Sequence, residues 1–96
     1  MIITNLSDSE LVDLYKQKLD KAFVGELYKR YTSFVFTICN KYLKNVDDSE
    51  DAVMQIFEKL FDSLLQHEIQ NFKPWLYSVA KFHCFHIIRN KQSSKE

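Results

Sequence analysis

One glycine and one proline in 96 residues exclude a turn-rich, strand-rich fold, which draws on both residues at its hairpins. A single glycine also excludes a phosphate-cradling loop, and neither HExxH nor a nucleophile elbow occurs. With no catalytic constellation left, a non-enzyme without cofactor is expected. The two cysteines, Cys39 and Cys84, stand far apart and outside any CxxC. Both fall in apolar helical segments and read as small hydrophobes in a reducing compartment. No apolar run is long enough to span a bilayer, and the acidic start MIITNLSDSE lacks the basic and apolar parts of a signal peptide. The expectation is a cytoplasmic protein with no membrane insertion.

Apolar and aromatic residues, by contrast, are plentiful enough for one core in a chain of this length. Formal charge is zero, yet the charges are sorted. Residues 21–45 hold five basic and one acidic residue, residues 46–70 one basic and seven acidic, and residues 71–96 five basic and one acidic. Such alternation either gives the molecule faces of opposite sign, for two kinds of partner, or decorates the wet face of each helix in turn.

Periodicity and punctuation predict an all-α, compact bundle of four helices with short connections. The first opens on Ser7, with Glu10 completing a capping box, and ends near Lys18. Asp20 caps the second, which carries Phe23, Leu27, Tyr31, Phe34, Ile38 and Tyr42 at helical spacing and ends at Lys44-Asn45. Asp47 or Asp48 caps the third, with Val53, Phe57, Leu60 and Leu64 as its core stripe. The fourth starts after Asn71, with Pro74 in its first turn, where the missing N–H is harmless. Residues 1–92 form the domain, and residues 93–96 begin a polar linker.

Two helix faces stand out. On the third helix, Asp51, Gln55, Glu58 and Asp62 line up opposite the core stripe, with Met54, Phe61 and Leu65 beside them. An apolar patch with a polar border suits a protein interface. Coverage of those apolar residues by the first helix, leaving a plain wet face, fits the spacing equally well. On the fourth helix, Leu76, Val79, Ala80, His83 and Ile87 form the core arc. The opposite arc holds Ser78, Lys81, Phe82, Phe85 and Arg89. Cations interleaved with aromatic rings suit single-stranded nucleic acid, in which phosphates meet the cations and bases stack on the rings. A further helix packed over Phe82 and Phe85 is the competing arrangement. His83 and His86 lie one turn apart, but no third ligand converges on them, so no metal is expected and His83 reads as a satisfied core histidine.

Three stretches, AFVGELYKRYTSFVF (22–36), DDSEDAVMQIFEKLF (47–61) and NFKPWLYSVAKFHCFHIIR (71–89), occur in an order and at separations that resemble a known family. They are similar to the N-terminal, promoter −10-binding domain (sigma region 2) of extracytoplasmic-function (ECF) sigma factors, bacterial initiation factors of RNA polymerase. The resemblance covers roughly residues 7–92. It implies a transcription initiation domain that docks on the clamp helices of the polymerase largest subunit and binds and melts the −10 element, holding a non-template base out of the stack.

Position by position, the resemblance places polymerase contact on Asp51, Met54, Gln55 and Glu58. It places DNA contact on the loop from His67 through Asn71 to Lys73, and on Ser78, Lys81, Phe82, Arg89 and Lys91. Trp75, in the family's WLY, is read as packing that fixes the loop. The family's Gln-Glu pair is Met54-Gln55 here, its Arg after WLY is Ser78, and its Asn after IAR is Phe82, which can stack but cannot read a base edge through paired hydrogen bonds. A complete factor continues through a linker to a helix-turn-helix domain that reads the −35 element. Without that second foothold, weak promoter binding is expected. An anti-sigma factor is a further implied partner. The alternative is a sigma-like interaction module that binds polymerase or an anti-sigma factor without DNA.

Overall fold

The described residues make a short 3-10 turn (Ile3–Asn5) and four helices: α1 (Asp8–Lys18), α2 (Lys21–Leu43), α3 (Val46–Gln66) and α4 (Phe72–Ser93). The computed structural model describes residues 2–93. Of the linker expected at 93–96, residues 94–96 lie outside the described residues, and Ser93 closes α4.

Local chemistry sets each boundary. At α1 the Ser7 hydroxyl accepts the Glu10 N–H at 3.1 Å, while the Ser7 N–H donates to Glu10 Oε1 at 2.8 Å, completing the expected capping box. Asp20 caps α2 by accepting the Ala22 N–H at 2.9 Å. Leu19 (φ 56°) and Lys44 (φ 54°) end α1 and α2 in the left-handed region. There their N–H groups bond back to Tyr15 O (2.7 Å) and Asn40 O (2.9 Å). The start of α3 corrects the expected cap. Asn45, extended at φ −152°, accepts the Asp48 N–H at 2.8 Å, so Asp47 and Asp48 lie inside the first turn, where the helix dipole favours them. The peptide oxygen of Asn71 accepts the Trp75 N–H at 3.3 Å, and Pro74 occupies the third position of α4.

Short connections make successive helices antiparallel, which leaves α2 and α4 parallel. Tyr31 meets Phe72, Phe34 meets Tyr77 and Tyr42 meets Phe85, rising together along both helices. The core is filled by Leu11, Leu27, Val35, Ile56, Leu60 and Leu76, none with exposed surface. On α3 the expected stripe is buried, and Ala52 and Ile56 widen it. On α2, Phe23, Leu27 and Ile38 are buried as expected, but Tyr31, Phe34 and Tyr42 are only half-buried, while Val24, Val35 and Cys39 lie inside. This helix packs on three neighbours, so a single inward stripe does not describe it. Both cysteines are fully buried and unpaired as a disulfide.

One polar network joins α1 to α2. The Arg30 guanidinium bonds Glu26 (3.0 Å), Asp8 (3.1 Å) and the peptide oxygen of Thr4 (3.2 Å), and the Tyr31 hydroxyl donates to the other oxygen of Asp8. Burial first, then the Asp8 carboxylate, pushes the Tyr31 hydroxyl up to about 12.

Candidate nucleic-acid interface and docking face

Asp51, Met54, Gln55 and Glu58 are all exposed on the side of α3 away from the core, and Met54 retains 66% of its surface. The first helix does not cover this face. It shields only Phe61, through the Tyr15 ring at 6.2 Å and a Tyr15 hydroxyl bond to Phe61 O at 2.7 Å, while Leu65 stays exposed. Across from Met54 lies Tyr28 of α2, seated edge-on against Phe57 at 5.0 Å. Between them runs an open groove along α2 and α3, lined by Thr32, Phe36 and Val53 on one side of Tyr28 and by Gly25 and Phe61 on the other. Its rims carry Glu50 and Glu58. The exposed Tyr28 and half-buried Phe36 were not singled out from the sequence, because a ring at the rim of α2 has no signal apart from its neighbours.

His83 links the two faces. The imidazole is buried, with Nε2 2.8 Å from Gln55 Oε1 and Nδ1 2.7 Å from Lys59 Nζ. An ammonium only donates, so Nδ1 accepts from Lys59, and Nε2–H donates to Gln55. Burial first, then the positive charge of Lys59, pulls the imidazole down to about 4. The expectation of a satisfied core histidine holds. Among the described residues no cluster of three or more side chains could hold a metal ion.

The loop before α4 is pinned from two sides. Lys16 of α1 donates to His67 O at 2.8 Å, and the His67 ring donates from Nδ1 to Ser63 O at 3.0 Å. The Trp75 ring packs 6.0 Å from both His67 and Phe72, half-buried in the base of the loop. Asn71 and Lys73 are exposed at the helix start, with the Lys73 ammonium 5.0 Å over the Phe34 ring.

Ser78, Phe82, Phe85 and Arg89 are exposed along one arc of α4, and Lys81 is half-buried beside them. Among the described residues no helix packs over Phe82, which keeps 63% of its surface. Lys81 Nζ sits 5.5 Å over its ring. Phe85, 40% exposed, meets Phe82 at 6.4 Å and stands edge-on to Tyr42 of α2 at 5.2 Å. Lys91 differs from the other expected DNA contacts, because it is paired with Asp48 of α3 at 2.5 Å. A phosphate there would compete with a carboxylate.

Three further residues on the α4 side went unread in the sequence as contacts: Phe34, Lys41 and Tyr42. The Tyr42 and Tyr77 hydroxyls are 3.4 Å apart, and Lys41 Nζ lies 5.4 Å over the Tyr42 ring. The shared hydrogen bond raises the Tyr42 hydroxyl above its ordinary value and lowers that of Tyr77, with Lys41 adding to the second shift. A usable signal existed: no acidic residue occurs between Glu26 and Asp47.

A helical bundle with an acidic, apolar-edged face on α3 and a basic, aromatic face on α4 has the make-up of a binding module. A family model described as Sigma-70 region 2 matches residues 27–94, which take in most of α2 and all of α3. The chain belongs to the sigma-70 region 2 family, the domain of sigma factors that acts in transcription initiation. Neither the curated proteins nor the solved structures contain a match. Among the described residues no helix is long and apolar enough to cross a membrane.

Proposed function

We propose that this domain docks on the clamp helices of the RNA polymerase largest subunit through α3, and binds and opens the −10 promoter element through α4 and the loop before it. On the polymerase side, Asp51, Met54, Gln55 and Glu58 make the contact, with Tyr28 completing an apolar anchor. With Gln55 where the family has Glu and Met54 where it has Gln, a charged contact gives way to an apolar one, and an apolar centre bordered by carboxylates suits a basic coiled-coil partner. On the DNA side, Lys73, Lys81 and Arg89 track phosphates, Phe82 stacks on an unpaired base of the non-template strand, and His67, Asn71 and Ser78 contact the strand from the loop and first turns. Lys91 reaches the strand only by leaving Asp48. The protein works in the cytoplasm as an ECF-type factor, and an anti-sigma factor would occupy one of the same two faces.

The observation that carries this reading is Phe82, a large ring exposed between Lys81 and Arg89 on a rigid helix. Removing a base from the stack costs a few kcal/mol, and stacking on one aromatic ring contributes ~1–3 kcal/mol in return. The test is titration of a labelled single-stranded −10-like oligonucleotide at low salt. Binding that weakens at least tenfold in Phe82→Ala and Lys81→Glu supports the reading. Polymerase binding with no oligonucleotide binding would instead select an interaction module that works without DNA.

A further inference from the structure

The α2–α4 seam repeats one small unit three times. Lys73 lies 5.0 Å over Phe34, Lys41 5.4 Å over Tyr42, and Lys81 5.5 Å over Phe82. In the first two pairs α2 supplies the ring or the whole unit. The rings connect: Phe34 meets Tyr77 at 6.5 Å, Tyr77 shares a hydroxyl contact with Tyr42, and Tyr42 leads through Phe85 to Phe82. Neither helix sets a carboxylate among them, since residues 27–46 and 69–95 contain no acidic side chain.

We propose that these three lysine–ring pairs form one track for single-stranded nucleic acid, in which α2 is a second wall and not merely a support for α4. In each unit a phosphate draws the ammonium off its ring, and a base takes the ring face thus uncovered. The exchange is favourable because an exposed cation over a ring is held more weakly than a base stacked on it, and the cation gains an anionic partner. Lys73 and Lys81 are eight residues apart on α4, on the order of 12 Å at the helical rise, so one strand running along the helix can reach both. This deepens the proposed function and rests on its nucleic-acid half, but it assigns Lys41, Tyr42 and Phe34, which that reading does not need. Charge complementarity and the unbroken run of rings favour a polynucleotide over a protein segment.

The test compares wild type with Lys41→Gln, Tyr42→Leu and Phe82→Ala by fluorescence anisotropy of a labelled single-stranded oligonucleotide across a salt series. Lys41→Gln is the primary variant, since Lys41 is exposed and its loss leaves the fold intact; circular dichroism checks Tyr42→Leu. Lys41→Gln is expected to weaken binding several-fold and to lower the slope of log affinity against log salt by about 0.7, one phosphate's share for a single strand. Tyr42→Leu is expected to weaken binding about five- to a hundredfold with the slope unchanged.

Wild-type affinity and slope in both α2 variants, with Phe82→Ala weakened, would overturn the track while leaving the α4 reading standing. Equal binding of a duplex of the same sequence, insensitive to Tyr42→Leu, would overturn it in favour of phosphate contact alone. No oligonucleotide binding by the wild type would overturn both readings. So would self-association, seen by sedimentation, that Phe82→Ala abolishes.

Discussion

His83 of α4 donates to Gln55 of α3 across 2.8 Å while its other nitrogen accepts from Lys59 at 2.7 Å. One buried imidazole therefore ties the proposed docking helix to the proposed DNA helix, and it does so only while neutral. Protonation would place a second charge against Lys59 and remove its acceptor.

The pH dependence follows. The unfolded chain takes up this proton near the ordinary histidine value, about 6.5, whereas the folded chain refuses it until about 4. The stabilising contribution is therefore complete above about 6.5 and is lost as pH falls toward 4, amounting to on the order of 3 kcal/mol. An NMR titration of the His83 ring should give a midpoint near 4, and His83→Gln should flatten this part of the stability profile. A midpoint near 6.5 would mean the clamp is absent in solution.

Arg30 holds α1 and the 3-10 turn to α2 through Glu26, Asp8 and Thr4. Arg30→Met leaves the buried Glu26 carboxylate without its partner and should cost about 2 kcal/mol in urea unfolding. Hydrogen exchange should speed up most in α1, while the seam of α2 and α4 keeps its protection.

Gly25 sits inside α2 with open space where a side chain would start. Gly25→Ala should raise stability by about 0.5–1 kcal/mol, read as a higher urea midpoint at unchanged slope. A loss of stability would show that the α2–α3 groove is more closed than described.

Much of the bundle was legible because its punctuation is local. The Ser7–Glu10 capping box and the Asp20 cap are read within four residues, and the structure repeats them. The start of α3 was not, since Asn45, Asp47 and Asp48 are chemically near-equal caps and only the extended backbone at Asn45 chooses among them. Phe34 and Tyr42 follow the same 3–4 spacing as Ile38, yet they are half-buried at the seam and Ile38 is inside. A helix that packs on three neighbours has more than one buried direction, and periodicity alone cannot rank them. Gln55 was legible as an outward residue, but its bond to His83 joins positions 28 apart in sequence. The exposure of Met54 and Phe82 depended on whether another helix covered them, which no spacing within their own helices encodes.

The proposed function requires polymerase and single-stranded DNA to bind separate faces of this domain. It is tested most directly by measuring both affinities on the same variants: a clamp-helix fragment of the polymerase largest subunit, and a labelled −10-like single strand at low salt. Met54→Glu is predicted to weaken clamp binding at least tenfold and leave the oligonucleotide within about twofold, since it puts a carboxylate into the apolar anchor that Met54 forms with Tyr28, on a groove lined by α2 and α3 and not by α4. Phe82→Ala is predicted to do the reverse. Loss of both ligands by either variant, or of neither by both, would contradict the account.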